Sequence, residues 1–335
     1  MEKLLVSSDW HLTDNPNDEY RWGIFDWFKV KSKELKIDAI CILGDLLDKK
    51  DFHSAVMVNR VVNELYNLAL CAPVYLLRGN HDGIRADLPY LKFINSLNKQ
   101  IRYIIEPTII DNILFLPHSR NPEEEWTNWT SKFKDVDYIM LHQTFSGAIS
   151  ENGMKLSGLS AEWFDNIKAT VISGDVHVPQ KIRNITYVGS PYRVHYGDSF
   201  TPRIFYVEES HLNNLYYDTI KRHTIEVTSK KEFIKFLESD TAPQKGDQVK
   251  LRILVDSKNI VDMDKTKAEI EEICKDKGFE VNSTQFIKQI DDSITQTENK
   301  ISHLSPEQIL EKYCSINNIE SNLFKYGEKI IQGLI

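Results

Sequence analysis

Short, unbroken apolar runs recur along the first two-thirds of the chain, and each gives way to polar residues. They are Leu4-Leu5-Val6, Ala39-Ile40-Cys41-Ile42-Leu43, Val74-Tyr75-Leu76-Leu77, Ile113-Leu114-Phe115-Leu116, Tyr138-Ile139-Met140-Leu141 and Thr170-Val171-Ile172. Their length and their β-branched and aromatic content predict strands. Their continuous apolar character predicts strands covered on both faces. From about Tyr20 to Leu35 and from about Ser54 to Leu70, apolar residues recur at three- and four-residue steps, the spacing of helices. Shorter helices are expected over Pro89 to Leu97 and Glu123 to Phe133. Strands alternating with helices predict an α/β layered fold, in which sites form beyond the carboxyl ends of strands.

The texture changes after Glu209. A short helix is expected from Ser229 to Leu237, a half-buried strand from Gln248 to Val255, an amphipathic helix from Asp264 to Lys277 stopped by Gly278, and a strand at Phe279-Glu280-Val281. The expected organisation is a large domain over 1–208, a small α+β domain over 209–290, a polar linker over 291–302 and a helical tail over 303–335. Ser305 followed by Pro306 is a helix-start signal in that tail.

At 335 residues the chain is long enough for one large domain and a smaller one. A formal net charge of −8 argues against non-specific coating of nucleic acid, though a local basic patch remains compatible with it. The four cysteines form no C-x2-C pair, so neither a zinc ribbon nor a disulfide framework is expected, and a reducing cytoplasm fits. The amino terminus enters a strand pattern without a signal-like segment, and no apolar run nears the roughly 18 residues of a membrane helix.

The chemistry lies in the polar clusters that follow the apolar runs: Asp9-Trp10-His11, Gly44-Asp45-Leu46-Leu47-Asp48, Gly79-Asn80-His81-Asp82, His142 and Gly174-Asp175-Val176-His177. Singly each has an ordinary reading. A histidine after a strand is usually a hydrogen-bonded loop residue, Asp45 could cap a helix, and Asn80-His81-Asp82 could form a turn. Jointly, and all at strand ends, they supply the carboxylate, amide and imidazole donors of a site for two divalent cations about 3.5–4 Å apart. Asp45, after Gly44, is the natural bridge. His81, beside a metal-bound phosphate, could pass a proton to the leaving oxygen, with Asp82 orienting it.

In this order, D-x-H, G-D-x-x-D, G-N-H-D, a single His and a closing G-x-x-H pair resemble the calcineurin-like metallophosphoesterase superfamily. The resemblance spans about residues 1–208 and implies a β-sandwich of two stacked sheets flanked by helices. A narrower likeness follows the last motif. Tyr187-Val188-Gly189-Ser190-Pro191-Tyr192, Tyr196-Gly197-Asp198 and Pro202-Arg203-Ile204-Phe205 resemble the SbcD-type DNA-repair nuclease subunits related to the meiotic recombination eleven protein, in their compact bacteriophage form.

This resemblance implies one cation on Asp9, His11, Asp45 and His177, another on Asp45, Asn80, His142 and Asp175, and His81 as catalytic histidine. The expected cofactors are two Mn²⁺, with Mg²⁺ as the alternative. Asp175 departs from the family pattern, which has a histidine there. The implied activity is 3′-to-5′ exonuclease on duplex DNA and endonuclease on single strands, within a homodimer bound to an SbcC-type SMC-like ATPase.

Lys49, His53, Arg85, Lys181 and Arg193 flank the motifs as candidate contacts to DNA phosphates, although each also reads as ordinary solvated surface. Tyr192 and Tyr196 could stack on bases or pack internally. In the tail, Ile309, Leu310, Tyr313, Leu323 and Phe324 form apolar faces that suit either the ATPase partner or the body of the protein. Two rival functions stay open: another enzyme of the superfamily, such as a nucleotide phosphodiesterase or phosphatase, and a catalytically weakened DNA-end-binding subunit.

Overall fold

A computed structural model of the chain describes residues 2–85, 88–255, 263–288 and 310. Each apolar run becomes a strand. In chain order the strands of the large domain are β1 (Lys3–Ser7), β2 (Ala39–Ile42), β3 (Val74–Leu77), β4 (Ile101–Ile104), β5 (Thr108–Ile110), β6 (Ile113–Leu116), β7 (Tyr138–His142), β8 (Thr170–Gly174), β9 (Gln180–Ile182), β10 (Ile185–Tyr187), β11 (Ile204–Glu208) and β12 (His211–Leu215). They form two six-stranded sheets, ordered β12-β11-β1-β2-β3-β4 and β5-β6-β7-β8-β10-β9. β1 to β4 run parallel in the first sheet and β6, β7, β8 and β10 in the second, with antiparallel β11 and β12 completing one edge of the first sheet and antiparallel β5 and β9 both edges of the second.

The sandwich explains the unbroken apolar runs, because successive residues of a strand point to opposite faces. Leu4, Val6, Cys41 and Leu43 meet Phe115, Met140 and Ile172 in the layer between the sheets. Their neighbours Leu5, Ile40, Ile42 and Leu76 face outward beneath the helices α1 (Ile24–Leu35) and α2 (Ala55–Ala69). Leu114, Ile139, Leu141 and Val171 pack with Trp126, Phe145 and Phe164 on the far side of the second sheet. Burying each such side chain contributes about 1.5–3 kcal/mol of transfer free energy.

Helix α2 starts where Ser54 accepts a hydrogen bond from Met57 N, and it buries Met57, Val61, Leu65 and Leu68 along one stripe. The helix expected from Tyr20 is a 3-10 segment over Pro16–Gly23 before it becomes α1. Within it the buried Arg21 guanidinium donates to the carbonyls of His11 and Val194. Residues 90–96 are also 3-10, and the 123–133 stretch divides into α3 (Pro122–Glu125) and a 3-10 turn over Thr127–Lys132.

Residues 211–215 pair with β11 and complete the first sheet, so the smaller unit begins at Arg222 rather than at 209. Its three parallel strands are β13 (Arg222–Val227), β14 (Gln248–Val255) and β15 (Glu280–Lys288). They alternate with α4 (Lys230–Phe236) and α5 (Met263–Lys277) around Phe233, Leu251, Ile270 and Cys274.

Arg222 joins this unit to the large domain. Its buried guanidinium donates to Val194 O at 2.7 Å, to Asn17 O at 3.1 Å and to the Asp18 carboxylate, and it lies against the rings of Tyr20 and Tyr196. The linker and tail, with Ile309, Tyr313, Leu323 and Phe324, lie outside the described residues. Leu310 is a half-buried helical residue. Among the described residues, no helix is long and apolar enough to cross a membrane.

Candidate metal centre

All five polar clusters sit at the carboxyl ends of parallel strands, and both sheets contribute. Asp9 and His11 follow β1, Asp45 follows β2, and Asn80 follows β3. His142 ends β7, and Asp175 and His177 follow β8. The chain turns sharply to present them. Asp9 (φ 55°), His11 (φ 43°), Asp45 (φ 51°) and Asp175 (φ 79°) all occupy the left-handed region, at a cost of about 1–2 kcal/mol each. Backbone links between loops hold them there: Asp9 N donates to Gly44 O at 3.1 Å and His11 N to Asp45 O at 3.0 Å.

The glycines before three of the clusters permit close approach. A Cβ on Gly79 would lie 2.1 Å from Asp45 Oδ1. One on Gly44 would lie 2.3 Å from His142 Nδ1, and one on Gly174 would lie 2.0 Å from Ser8 Oγ.

Two sets of donor atoms, each gathered within 4.8 Å, result: Asp9, His11 and His177, and Asp9, Asp45 and His142. Asp9 belongs to both, whereas the resemblance placed it with one cation. Asp45 also lies between the sets, 3.8 Å from His11 Nε2 and 3.5 Å from His142 Nε2. Asp175 Oδ1 lies 3.6 Å from His142 Nε2, and its other oxygen accepts from the Thr144 hydroxyl.

These groups fit cations on their own chemistry. Asp9 Oδ2 is buried without a hydrogen-bond partner. His11 Nε2 and His177 Nε2 converge to 3.0 Å. The Asn80 side-chain amide adjoins His142 and Asp45, and with its nitrogen turned inward it donates to Asp45 Oδ2 at 2.8 Å. Buried lone pairs turned on one another are costly unless positive charge sits among them. Oxygen and imidazole donors together suit Mn²⁺, Fe²⁺ or Zn²⁺, and the carboxylates also suit Mg²⁺.

The electrostatics agree. Burial raises the Asp9 carboxyl, with His142 and His177 pulling against it. Burial acts the same way on Asp45, yet His142 and His11 overcome it and hold that carboxyl well below the ordinary range. Burial disfavours charge on His142, but Asp45 raises its pKa well above the usual imidazole value. For His177, burial is outweighed by Glu151, whose Oε1 lies 2.6 Å from Nδ1, and the pKa rises to about 9. Glu151 is correspondingly lowered to about 2 by its hydrogen bond from His177.

His81 lies at the rim of this cluster, its ring centroid 5.0 Å from that of His11. Its orientation does not come from Asp82. The Asp82 carboxylate is buried and accepts from Gly79 N at 2.7 Å and Asp45 N at 3.0 Å, clamping the two loops together. Burial and the nearby Asp45 charge push its pKa up to about 6. The His81 ring is held instead by Nδ1 donating to Asp48 O at 2.7 Å. Asp48 and Glu151 are thus supporting residues that the motif reading did not assign.

The candidate DNA contacts disperse. Lys49 is exposed, His53 packs on the Tyr90 ring, Arg85 forms a short bridge with Leu88, and Lys181 lies on edge strand β9. Arg193 is half-buried, and its carbonyl accepts from Tyr20. Tyr192 is a core residue with its hydroxyl on Trp10 O, so it is not a base-stacking platform. Tyr196 joins the two units through Gln248 and Asn282.

Fold and donor set together define a metal-binding α/β sandwich with its ligands along the seam between two sheets. Residues 2–179, more than half of the chain, match the family described as calcineurin-like phosphoesterase, and the chain belongs to that family. Phosphoesterase 244L of Invertebrate iridescent virus 6 is 29% identical over 181 residues, 49% of this chain. The matched region spans 61% of that relative's length. Among solved structures, a dimetal phosphatase from Danio rerio is 11% identical, covering 66% of this chain and 98% of its own, with a TM-score of 0.40. The Pseudomonas putida nuclease MPE is 15% identical, covering 63% and 87%, with a TM-score of 0.27.

Proposed function

We propose that the protein is a divalent-metal-dependent nuclease that hydrolyses phosphodiester bonds of DNA, with Mn²⁺ as its preferred cation. The observation that carries the phosphoesterase chemistry is the pair of donor sets sharing Asp9, with Asp45 between them. One cation would be held by Asp9, His11 and His177. The other would be held by Asp45, Asn80, His142 and Asp175, with Asp9 shared. When bound, such a pair supplies Lewis acidity and activates water.

The chain's own residues do the rest. With Nδ1–H engaged by Asp48 O, His81 turns Nε2 towards the site; as the doubly protonated ring it passes the Nε2 proton to the leaving oxygen and is left neutral, with its proton on Nδ1. Asp82 fixes the loops that carry Asp45 and Asn80. The Thr144 hydroxyl orients Asp175, which favours a working second site over a crippled one.

DNA as the substrate is supported by the segment 187–205, where the likeness to SbcD-type nucleases lies. That segment buttresses the ligand loop. Ser190 N donates to His177 O at 3.0 Å, and a Cβ on Gly189 would lie 2.6 Å from the same oxygen. The proposal extends to a homodimer, to a DNA-capping role for the smaller unit, and to docking of residues 303–335 on an SMC-like ATPase.

The test is cleavage of linear duplex and single-stranded DNA with Mn²⁺, Mg²⁺ or EDTA. Mn²⁺-stimulated cleavage is expected, abolished by EDTA. His81→Ala should lower kcat by about 10²–10⁴ with manganese and DNA binding retained. Hydrolysis of nucleotides without any cutting of DNA would move the protein to another branch of the family. One bound cation per chain and no cleavage would make it a DNA-end-binding subunit.

A further inference from the structure

A cleft of about 450 Å³ opens beside Asn80, on the His142 side of the metal centre. Its size is within the range of small-molecule sites, about 300–1,000 Å³. Lys50, Arg78, Arg85 and Arg120 line it with Asn80 and with His118, whose ring is kept neutral by burial, and Glu125 is the one acidic lining residue among the described residues. That is a strongly cationic spot on a chain of net charge −8.

Arg78 is the informative member. It is only 5% exposed. Its Nη2 donates to the His118 carbonyl, and His118 N donates back to Arg78 O at 3.0 Å. Its Nε is buried with no partner. A guanidinium taken out of water with a donor unmet is costly, and an anion offering oxygens to it removes that cost. The stapling of β3 to His118 accounts for one side of this side chain and leaves Nε unexplained.

We propose that this cleft binds a second phosphate of the substrate, the one next to the phosphate being cleaved. The scissile group belongs among the donors around Asp9 and Asp45. Asn80 borders both places, so a strand running from the metal centre past Asn80 brings its neighbouring phosphate to Arg78, with Lys50 and Arg120 at the rim. The substrate class that follows is a polynucleotide strand, selected over an isolated phosphodiester. This inference rests on the nuclease reading for the identity of the strand, but the anion subsite itself does not require cleavage.

Arg78 also holds the fold, so the rim is the place to test. Lys50→Ala/Arg120→Ala should be compared with wild type in two measurements. The first is kcat/KM on an oligonucleotide and on bis(p-nitrophenyl) phosphate, which carries a single phosphate. The loss on the oligonucleotide should exceed the loss on the small diester at least tenfold. The second is binding of a fluorescent single-stranded oligonucleotide in EDTA, read as anisotropy against salt. The double variant should bind about tenfold more weakly, with the slope of log affinity against log salt shallower by about 0.7, one phosphate contact.

Equal losses on both substrates, or unchanged oligonucleotide binding, would overturn the subsite. If rim-dependent binding holds while no oligonucleotide is ever cut, the nuclease reading falls and the anion subsite stands.

Discussion

His177 shows how much of this centre is set by single contacts. Glu151 on Nδ1 raises its pKa to about 9, so near neutral pH the metal-free ring is protonated, whereas ligation needs Nε2 bare. Cation uptake therefore displaces a proton. The sign follows directly: apparent manganese affinity should rise with pH, by up to about tenfold per unit, and level off above about pH 9. Titration calorimetry in buffers of different ionisation enthalpy counts the protons released, and Glu151→Gln should reduce that count at pH 8. No release in the wild type at pH 7 would contradict the argument.

At this scale the candidate donors were legible because an Asp, Asn or His stood wherever an apolar run stopped. Glu151 was not, since its partner is supplied by a loop remote in sequence. Nor was the true role of Asp82. Standing next to His81 in sequence suggested that it orients the ring, but the tight Gly79-Asn80-His81 turn points its carboxylate back at two amide protons.

At the level of strands and turns, the recurrent glycine before a ligand is a packing requirement. Gly79 is the sharpest case. Its φ is not in the left-handed region, and the nearest atoms a methyl would meet all belong to Asp45, with Oδ1 at 2.1 Å and the backbone nitrogen at 2.5 Å. Gly79→Ala should therefore keep its circular dichroism spectrum yet lose at least tenfold in manganese affinity. Normal affinity would show that the two loops yield more easily than their hydrogen bonds suggest.

The strands themselves were readable because both of their faces are buried. The helices were less so, because apolar spacing does not separate an α-helix from a 3-10 segment. Strand β12, with its exposed His211 and Asn213, carries too little apolar pattern to announce itself, and the domain boundary was accordingly placed too early.

For the molecule as a whole, the telling fact is that Asp9, His11, Asp45 and Asn80 hang from one sheet while His142, Asp175 and His177 hang from the other. Cations held among them stabilise the native state by mass action, about 2.7 kcal/mol at a hundredfold excess over Kd. Manganese should thus raise the melting temperature by several degrees and EDTA should lower it, while Asp45→Asn should lose most of the gain. A melting curve indifferent to manganese would mean that the donors do not close on it.

The seam carries one more consequence. Between the layers lie mostly apolar side chains, with hydrogen bonds from one sheet to the other at few points, such as His142 Nδ1 to Leu43 O and Ser210 N to the Tyr138 hydroxyl. A shear of a fraction of an ångström would leave each ladder of backbone bonds whole and still change how far apart the two halves of the ligand set stand. The catalytic geometry is in this sense a vernier, read off the alignment of two rigid plates.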